Sequence, residues 1–211
     1  MPGVGHSVEC LLDPGLDGAV RAEWDALADA GLRPRERPPW RRAASGEPVH
    51  EGPVHEGPVH EESMPARRPH ITLTWATAYG EDGERDLPGL VLAGAGLPVA
   101  IRLGGLVVFG RRPRFVLARA VVPSKDLLDL HERVATRLRD SPGFSATARP
   151  AAWTPHVTLA RLRSAEQLAA AIELLSAGPG ARAGSVVAVR RWDGYNRREW
   201  LVAGAAPHPP R

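Results

Sequence analysis

The sequence contains very little cysteine and lysine. Cys10 is the single cysteine among 211 residues, so an internal disulfide is excluded and a reducing, cytoplasmic location is expected. Lys125 is the single lysine among 27 basic residues, so arginine carries almost all of the positive charge. The net charge of +3 is small and slightly favours an anionic partner.

Long apolar runs are also missing. The most apolar stretch, residues 87–110, is interrupted by Pro88, Pro98 and Arg102, whereas a membrane helix needs about 20 apolar residues. Residues 1–10 lack a basic segment followed by an apolar one, so no signal peptide is predicted. Apolar residues make up 43% of the chain and charged residues 24%, which is typical of a soluble globular protein. We therefore expect a soluble monomer with no membrane partner.

Proline is concentrated in one segment, residues 32–67. Three copies of a Pro-Val-His-Glu unit begin there at Pro48, Pro53 and Pro58. A five-residue period with a proline in every unit fits neither a helix nor a strand, so the segment is predicted to be a disordered insertion. Its histidines beside glutamates could bind a divalent metal adventitiously, although no rigid framework would hold these ligands.

The rest of the chain alternates between strand and helix patterns, which predicts an α+β fold in one domain, 1–205, with a flexible tail at 206–211. Strands are predicted over residues 4–12, 68–76, 99–109, 115–122, 154–162, 185–192 and 199–203. Helices are predicted to begin after Asp13, near residue 87, after Ser124 and after Ser164.

One five-residue phrase occurs twice, as Pro69-His70-Ile71-Thr72-Leu73 and as Pro155-His156-Val157-Thr158-Leu159. Because side chains alternate across a strand, the histidine and the threonine of each copy share one face, and the apolar residues share the other. Each copy therefore predicts a strand that buries one side and presents an imidazole and a hydroxyl on the other. Two such strands side by side would form a cleft suited to acid–base chemistry on an anionic group.

Two imidazoles facing one substrate can act together, because histidine titrates near neutral pH. Opening a cyclic phosphate needs one group that takes a proton from water and another that protonates the departing sugar oxygen. Threonine hydroxyls on the same face can donate to the non-bridging phosphate oxygens. The scheme needs no metal or other cofactor, and we predict no metal site, because each motif has threonine where a carboxylate ligand would stand.

These phrases resemble the signature of the two-histidine phosphoesterases, specifically the 2'-5' RNA ligase or RNA 2',3'-cyclic phosphodiesterase branch. That signature is a pair of His-x-Thr-x motifs in which x is hydrophobic, and both copies match it. Ala160-Arg161 after the second motif and the segment 106–117 between the motifs are also similar to that branch. The resemblance implies a bilobal fold of two pseudo-symmetric lobes of antiparallel sheet, with flanking helices and a central cleft.

The same resemblance implies an activity. Typical members open 2',3'-cyclic phosphate at RNA ends or in nucleotides to a 2'-phosphate without a metal, and some reversibly join RNA ends through 2'-5' linkages. By analogy with the family, His70 is the proton donor and His156 the proton acceptor. Thr72 and Thr158 bind the phosphate.

Three further residues are candidate substrate contacts. Thr74 is predicted to share the cleft face with His70 and Thr72. Arg161 stands at odd spacing from His156, so it reaches the cleft only if the strand twists or ends there. Phe109 can stack on a base, and a position in the core competes with that role.

Two other functions fit the same residues. An RNA- or nucleotide-binding module without turnover would keep the cleft alone, although it would need neither imidazole. A metal-dependent hydrolase would instead use the histidine-rich repeat.

Overall fold

The fold is seen in a computed structural model that describes residues 5–33, 68–176, 178 and 180–205. The predicted tail and residues 34–67 of the predicted insertion lie outside these residues. Leu32 and Arg33, which the prediction assigned to the insertion, instead pack on the folded body. Leu32 contacts the core, and the Arg33 guanidinium lies 3.9 Å from the Trp24 ring centroid.

Seven strands and four helices follow one another in the described residues. The strands are β1 (His6–Leu12), β2 (His70–Ala76), β3 (Val99–Arg111), β4 (Arg114–Pro123), β5 (His156–Leu162), β6 (Arg182–Asp193) and β7 (Arg198–Gly204). The helices are α1 (Pro14–Asp29), α2 (Glu81–Leu92), α3 (Lys125–Leu138) and α4 (Ala165–Ser176). Two 3₁₀ helices, Ala146–Ala148 and Pro150–Ala152, precede β5.

Local sequence signals account for most helix ends. The Asp13 carboxylate accepts a hydrogen bond from the Leu16 N–H at 2.9 Å, and Pro14 opens α1, as predicted for an N-cap followed by proline. The prediction for α2 was wrong at its start, because the helix begins at Glu81 rather than near residue 87. Acidic residues in its first turn favour the helix there, and the helix continues through Pro88.

The seven strands pair antiparallel. Six of them form a closed circuit, and β7 is attached to its outside. β1 pairs with β2 and β6, β5 pairs with β2 and β4, β3 pairs with β4 and β6, and β7 extends the sheet from β6. One lobe is therefore formed by β2, β1, β6 and β7, and the other by β5, β4 and β3. The lobes join where β2 meets β5 and where β3 meets β6. The predicted α+β fold with two antiparallel lobes is confirmed.

The core lies between this sheet and the helices. α2 packs against α3, and α1 packs against α4. Leu27 of α1, Leu127 of α3 and Ile71 and Val157 of the motif strands are all fully buried in one apolar cluster. Among the described residues, the helices are too short or too polar to cross a membrane. The opposite faces of β2 and β5 stay open, and the polar motif residues lie there.

Candidate active site

The two motif strands meet antiparallel, with Ile71 of β2 opposite Val157 of β5. Both residues point into the core. The residues on either side of this pair therefore point to the open face, with His70 across from Thr158 and His156 across from Thr72. All four of these side chains are partly exposed. The pairing thus brings two imidazoles and two hydroxyls from distant parts of the chain to one surface.

Each catalytic candidate histidine is oriented by the same local hydrogen bond. Nδ1 of His70 lies 2.7 Å from the Arg68 carbonyl oxygen, and Nδ1 of His156 lies 2.7 Å from the Thr154 carbonyl oxygen. A carbonyl oxygen can only accept, so Nδ1 carries the hydrogen in both rings. Nε2 is then the nitrogen left available to exchange a proton.

Both motif strands contain a bulge at the same place, one residue after the threonine. In β2 the register with β1 shifts between Thr72 and Thr74, and in β5 the register with β4 shifts between Thr158 and Ala160. A bulge breaks the alternation of faces. Two successive residues are therefore buried in each strand. The residue after them reaches solvent again: Trp75 is partly exposed and Arg161 is exposed.

Matching side chains hold the backbone at each bulge. The Trp153 indole N–H donates to the Thr72 carbonyl at 2.9 Å, and the Trp24 indole N–H donates to the Thr158 carbonyl at 3.1 Å. His131 stacks on Trp153 with ring centroids 3.8 Å apart. These indoles satisfy backbone groups that the disrupted ladder leaves free.

The second layer of each support also matches. Arg33, which lies over Trp24, donates to the Leu159 carbonyl at 2.5 Å. His131, which stacks on Trp153, donates from Nε2 to the Ala148 carbonyl at 3.0 Å. Each bulge is therefore braced by a tryptophan together with a stacked polar side chain.

His156 lies in an apolar and cationic environment. The Phe109 ring packs against its imidazole with centroids 4.5 Å apart. Burial lowers the pKa of His156, the hydrogen bond to Thr154 opposes this change, and the positive charges of His70 and Arg161 add to the lowering. The imidazole therefore stays neutral to lower pH than an ordinary histidine, as a proton acceptor requires.

His70 instead faces a buried carboxylate. Its Nε2 lies 3.6 Å from Oε1 of Glu9 on β1. Arg190 of β6 contacts Oε2 of Glu9 at 2.7 Å, and the Ser7 hydroxyl donates to Oε1 at 2.6 Å. Burial by itself raises the pKa of Glu9. The charges of His70 and Arg190 and the hydrogen bond from Ser7 outweigh burial and hold that pKa below its usual value, so Glu9 is an anion beside His70 at neutral pH.

Possible metal ligands do not cluster in the described residues. Within 5–33, 68–176 and 180–205, the His, Cys, Asp and Glu side chains form no group of three or more that could hold an ion. The histidines of the Pro-Val-His-Glu repeat lie outside that part of the chain.

The family model of the 2'-5' RNA ligase superfamily matches residues 48–196, which include both motif strands and more than half of the chain. The chain belongs to the 2'-5' RNA ligase superfamily. This membership confirms the resemblance to the two-histidine phosphoesterases and indicates an enzyme with phosphodiesterase- or ligase-type activity in general.

Solved structures of similar fold include Usb1 from Kluyveromyces marxianus. It is 12% identical to this chain over 94% of this chain and 97% of that one, with a TM-score of 0.49. Its structure with uridine monophosphate is 14% identical over the same shares, with a TM-score of 0.46. The crystal structure of a phosphoesterase is 18% identical over 93% of this chain and 92% of that one, with a TM-score of 0.46. No curated protein matches the chain in sequence.

In this superfamily member, the prediction for Thr74 was wrong. Thr74 is fully buried and its hydroxyl lies 2.8 Å from the hydroxyl of Tyr79 on the core side. The bulge at Leu73 moves Thr74 off the face shared by His70 and Thr72, so it does not contact a substrate. Simple alternation from His70 could not show this, because a bulge depends on the pairing with β1.

The same effect brings Arg161 back to the cleft side. The bulge at Leu159 compensates for its odd spacing from His156, and its charge acts on that imidazole. Phe109 lies partly exposed against His156. Substrate contact by Arg161 and by Phe109 stays a prediction.

Sequence reasoning missed the lobe-specific neighbours of the histidines. Ser7 and Glu9 are two residues apart on β1, which is a signal for one shared face, but their position beside His70 depends on the β1–β2 pairing. Arg190 reaches Glu9 from a strand 181 residues away. His131 lies between charged neighbours in the sequence, which would indicate an exposed position, yet it is 2% exposed and stacked on Trp153.

Proposed function

We propose that this protein is a metal-independent phosphodiesterase that opens 2',3'-cyclic phosphate, in nucleotides or at RNA ends, to a 2'-phosphate. The observation that carries the proposal is the pairing of Ile71 with Val157, which sets each histidine across from the threonine of the other motif. A single phosphate between the strands can then meet two imidazole nitrogens and two hydroxyls.

Attack on phosphorus begins at His156. Its Nε2 takes a proton from water while the water oxygen forms a bond to phosphorus. The lowered pKa of His156 supports this role, because the acceptor must be neutral when substrate binds. The hydrogen bond from Nδ1 to the Thr154 carbonyl keeps the lone pair of Nε2 toward the cleft.

His70 supplies the proton for the departing sugar oxygen. As the bond from phosphorus to the 3'-oxygen breaks, Nε2 of His70 gives its proton to that oxygen and leaves a 3'-hydroxyl beside a 2'-phosphate. The hydroxyls of Thr72 and Thr158 donate to the non-bridging oxygens as charge develops there. His156 ends protonated and His70 neutral, and exchange with solvent restores both. A 5'-hydroxyl in place of water would give a 2'-5' linkage by the same transfers.

The test is turnover of a 2',3'-cyclic mononucleotide in the presence of a metal chelator. We expect the 2'-phosphate product, and loss of about 10²- to 10⁴-fold in kcat for His70→Ala and for His156→Ala, because each removes a general acid or base. Deletion of residues 47–62 removes the histidine-rich repeat and is expected to leave the rate unchanged.

Other outcomes identify the other functions. Turnover that stops in chelator and with the deletion would indicate a metal-dependent hydrolase. Absence of turnover together with salt-sensitive binding of RNA would indicate a binding module. Supplying an RNA with a 5'-hydroxyl end in addition to the cyclic phosphate tests ligation directly.

A further inference from the structure

The carboxylate of Glu9 stands beside the proton-exchanging nitrogen of His70. The distance of 3.6 Å from Oε1 to Nε2 is too long for a hydrogen bond, so a proton on Nε2 is not committed to Glu9 and can point toward a substrate. The same distance is short enough for a strong charge interaction in a partly buried site. Glu9 therefore acts on His70 through its charge and leaves the N–H free.

Three neighbours hold Glu9 in this position. Arg190 uses both Nε and Nη2 on the same oxygen, Oε2, at 2.8 and 2.7 Å. Ser7 donates to Oε1, the oxygen that faces His70. Arg190 also pairs with Glu199 of β7, so the guanidinium is bracketed by two carboxylates. Glu9 is 4% exposed, and this network fixes its side chain.

The other lobe has an apolar residue in the equivalent place. Glu9 is opposite Thr72 across the β1–β2 pairing, and Ala118 is opposite Thr158 across the β4–β5 pairing. In each case the next residue of the motif strand is the bulge. The two histidines therefore share one scaffold, and only His70 has a carboxylate beside it at this position.

We propose that Glu9, held by Arg190 and Ser7, is the positioning residue whose negative charge stabilises the cationic imidazolium of His70, the proton donor of the reaction. This inference rests on the proposed function. Ser7 and Glu9 precede the residues that the family model matches, so their role does not come from that match.

Within the described part of the chain, few other titratable groups are seen to act on this pair. Glu199 approaches through Arg190, and His156 acts on the pair from the neighbouring strand. On the core side, burial raises the pKa of Cys10 and of Tyr79, so both are neutral at working pH. Removing the Glu9 charge therefore leaves the donor without its nearest anion.

The main experiment is the pH profile of kcat/KM for a 2',3'-cyclic mononucleotide with Glu9→Gln. Glutamine keeps the size and hydrogen-bonding capacity of the side chain but not its charge. We expect the basic limb, where the donor loses its proton, to move to lower pH by about one unit, since an opposite charge this close shifts titration by one to three units. At pH values above the basic limb the rate then falls about tenfold, and the acid limb, which reports the acceptor His156, stays in place.

Glu23→Gln is the matched control. Glu23 of α1 pairs with the buried Arg119 at 2.7 Å, and Arg119 is opposite the core-facing Val157, so this variant removes a similar carboxylate from the helix side of the sheet. We expect a comparable loss of stability and an unchanged basic limb. If Glu9→Gln does not fold because Arg190 is left unpaired, Glu9→Gln with Arg190→Met removes both charges and is expected to move the basic limb in the same direction by a smaller amount, because the cation is lost as well.

An unchanged basic limb in a folded Glu9 variant would overturn the proposal. If KM also falls in that variant, Glu9 acts only by repelling the phosphate of the substrate. If the wild-type protein turns over no cyclic phosphate, the proposed function fails, and NMR titration of the His70 ring still tests the contact. Loss of the His70 proton at lower pH in Glu9→Gln supports the charge interaction, and identical titration curves contradict it.

Discussion

The two motif strands are alike along their own length and different in what lies next to them. Each carries histidine, a buried residue, threonine and then two successive buried residues, the first of which is the bulge. Each histidine donates from Nδ1 to the carbonyl two residues earlier. Each threonine carbonyl accepts from a tryptophan indole. The scaffold that aims an imidazole and a hydroxyl is therefore built twice in the same way.

The neighbouring strands give each histidine its own environment. Beside β2 stand Glu9 and, on the next strand, Arg190, whereas Ala118 and Val107 occupy the equivalent positions beside β5. After the bulge, Trp75 in one lobe corresponds to Arg161 in the other. One scaffold can thus support a proton donor and a proton acceptor, because the electrostatic surroundings come from other strands.

Among the variants that compare the two lobes, the largest effect is expected from the threonines, where the two lobes should be equal. Thr72→Val and Thr158→Val keep the shape of the side chain and remove a hydroxyl donor from the phosphate. We expect each to lower kcat about 10²-fold, as removal of one transition-state donor does, with similar values for the two variants. A steady-state assay checks this, and a loss confined to one variant would show that only one lobe binds the phosphate.

The two side chains that support the bulges, His131 and Arg33, should contribute differently to stability in acid. Burial lowers the pKa of His131 to about 4, partly offset by hydrogen bonds to Ala148 and Leu73. Because the unfolded chain binds this proton near pH 6.5, the stabilisation is complete above that pH and is lost as pH falls toward 4. We expect a loss of about 2 to 3 kcal/mol in unfolding free energy over that range.

Arg33, the equivalent support in the other lobe, stays charged throughout. Chemical denaturation of the wild type and of His131→Gln at several pH values measures the His131 contribution by difference, since the other titrating groups are common to both. A difference that does not change between pH 6.5 and 4 would contradict the assignment.

Arg161 is expected to strengthen substrate binding from the β5 side of the cleft, because β2 has Trp75 at the equivalent position. Arg161→Gln removes a cation on the cleft side of β5, so KM for a cyclic nucleotide should rise about fivefold to tenfold and depend less on salt. Arg163→Gln, an exposed neighbour on the same segment, is the matched control and should leave KM unchanged. Equal effects of the two variants would indicate general attraction rather than a contact at the site.

Phe109 should tune the acceptor by a smaller amount. Phe109→Ala exposes the His156 imidazole, and the pKa of His156 should rise because burial is the largest cause of its lowering. The acid limb of the pH profile then moves to higher pH by about half a unit. Val108→Ala, at an exposed neighbour on β3, is the control. A displacement to lower pH would contradict the packing explanation.

Much of the scaffold was predictable from local patterns. The alternation in His70-Ile71-Thr72 correctly separated a buried residue from its two polar neighbours. The helix start after Asp13 was also predicted from residues a few positions apart, and the register shift of β3 against β4 coincides with the double glycine at Gly104. These features depend on contacts within one element or one hairpin, so the chain order shows them.

The motifs, their faces and their paired chemistry were thus readable from the chain, because strand alternation is a property of consecutive residues. The tertiary structure decided that Thr74 is buried and that Arg161 lies on the cleft side. It also placed Glu9, with its partner Arg190, beside His70. Bulges and cross-strand neighbours arise only when separate strands pair. For that reason the difference between the two histidines belongs to the folded sheet rather than to either motif.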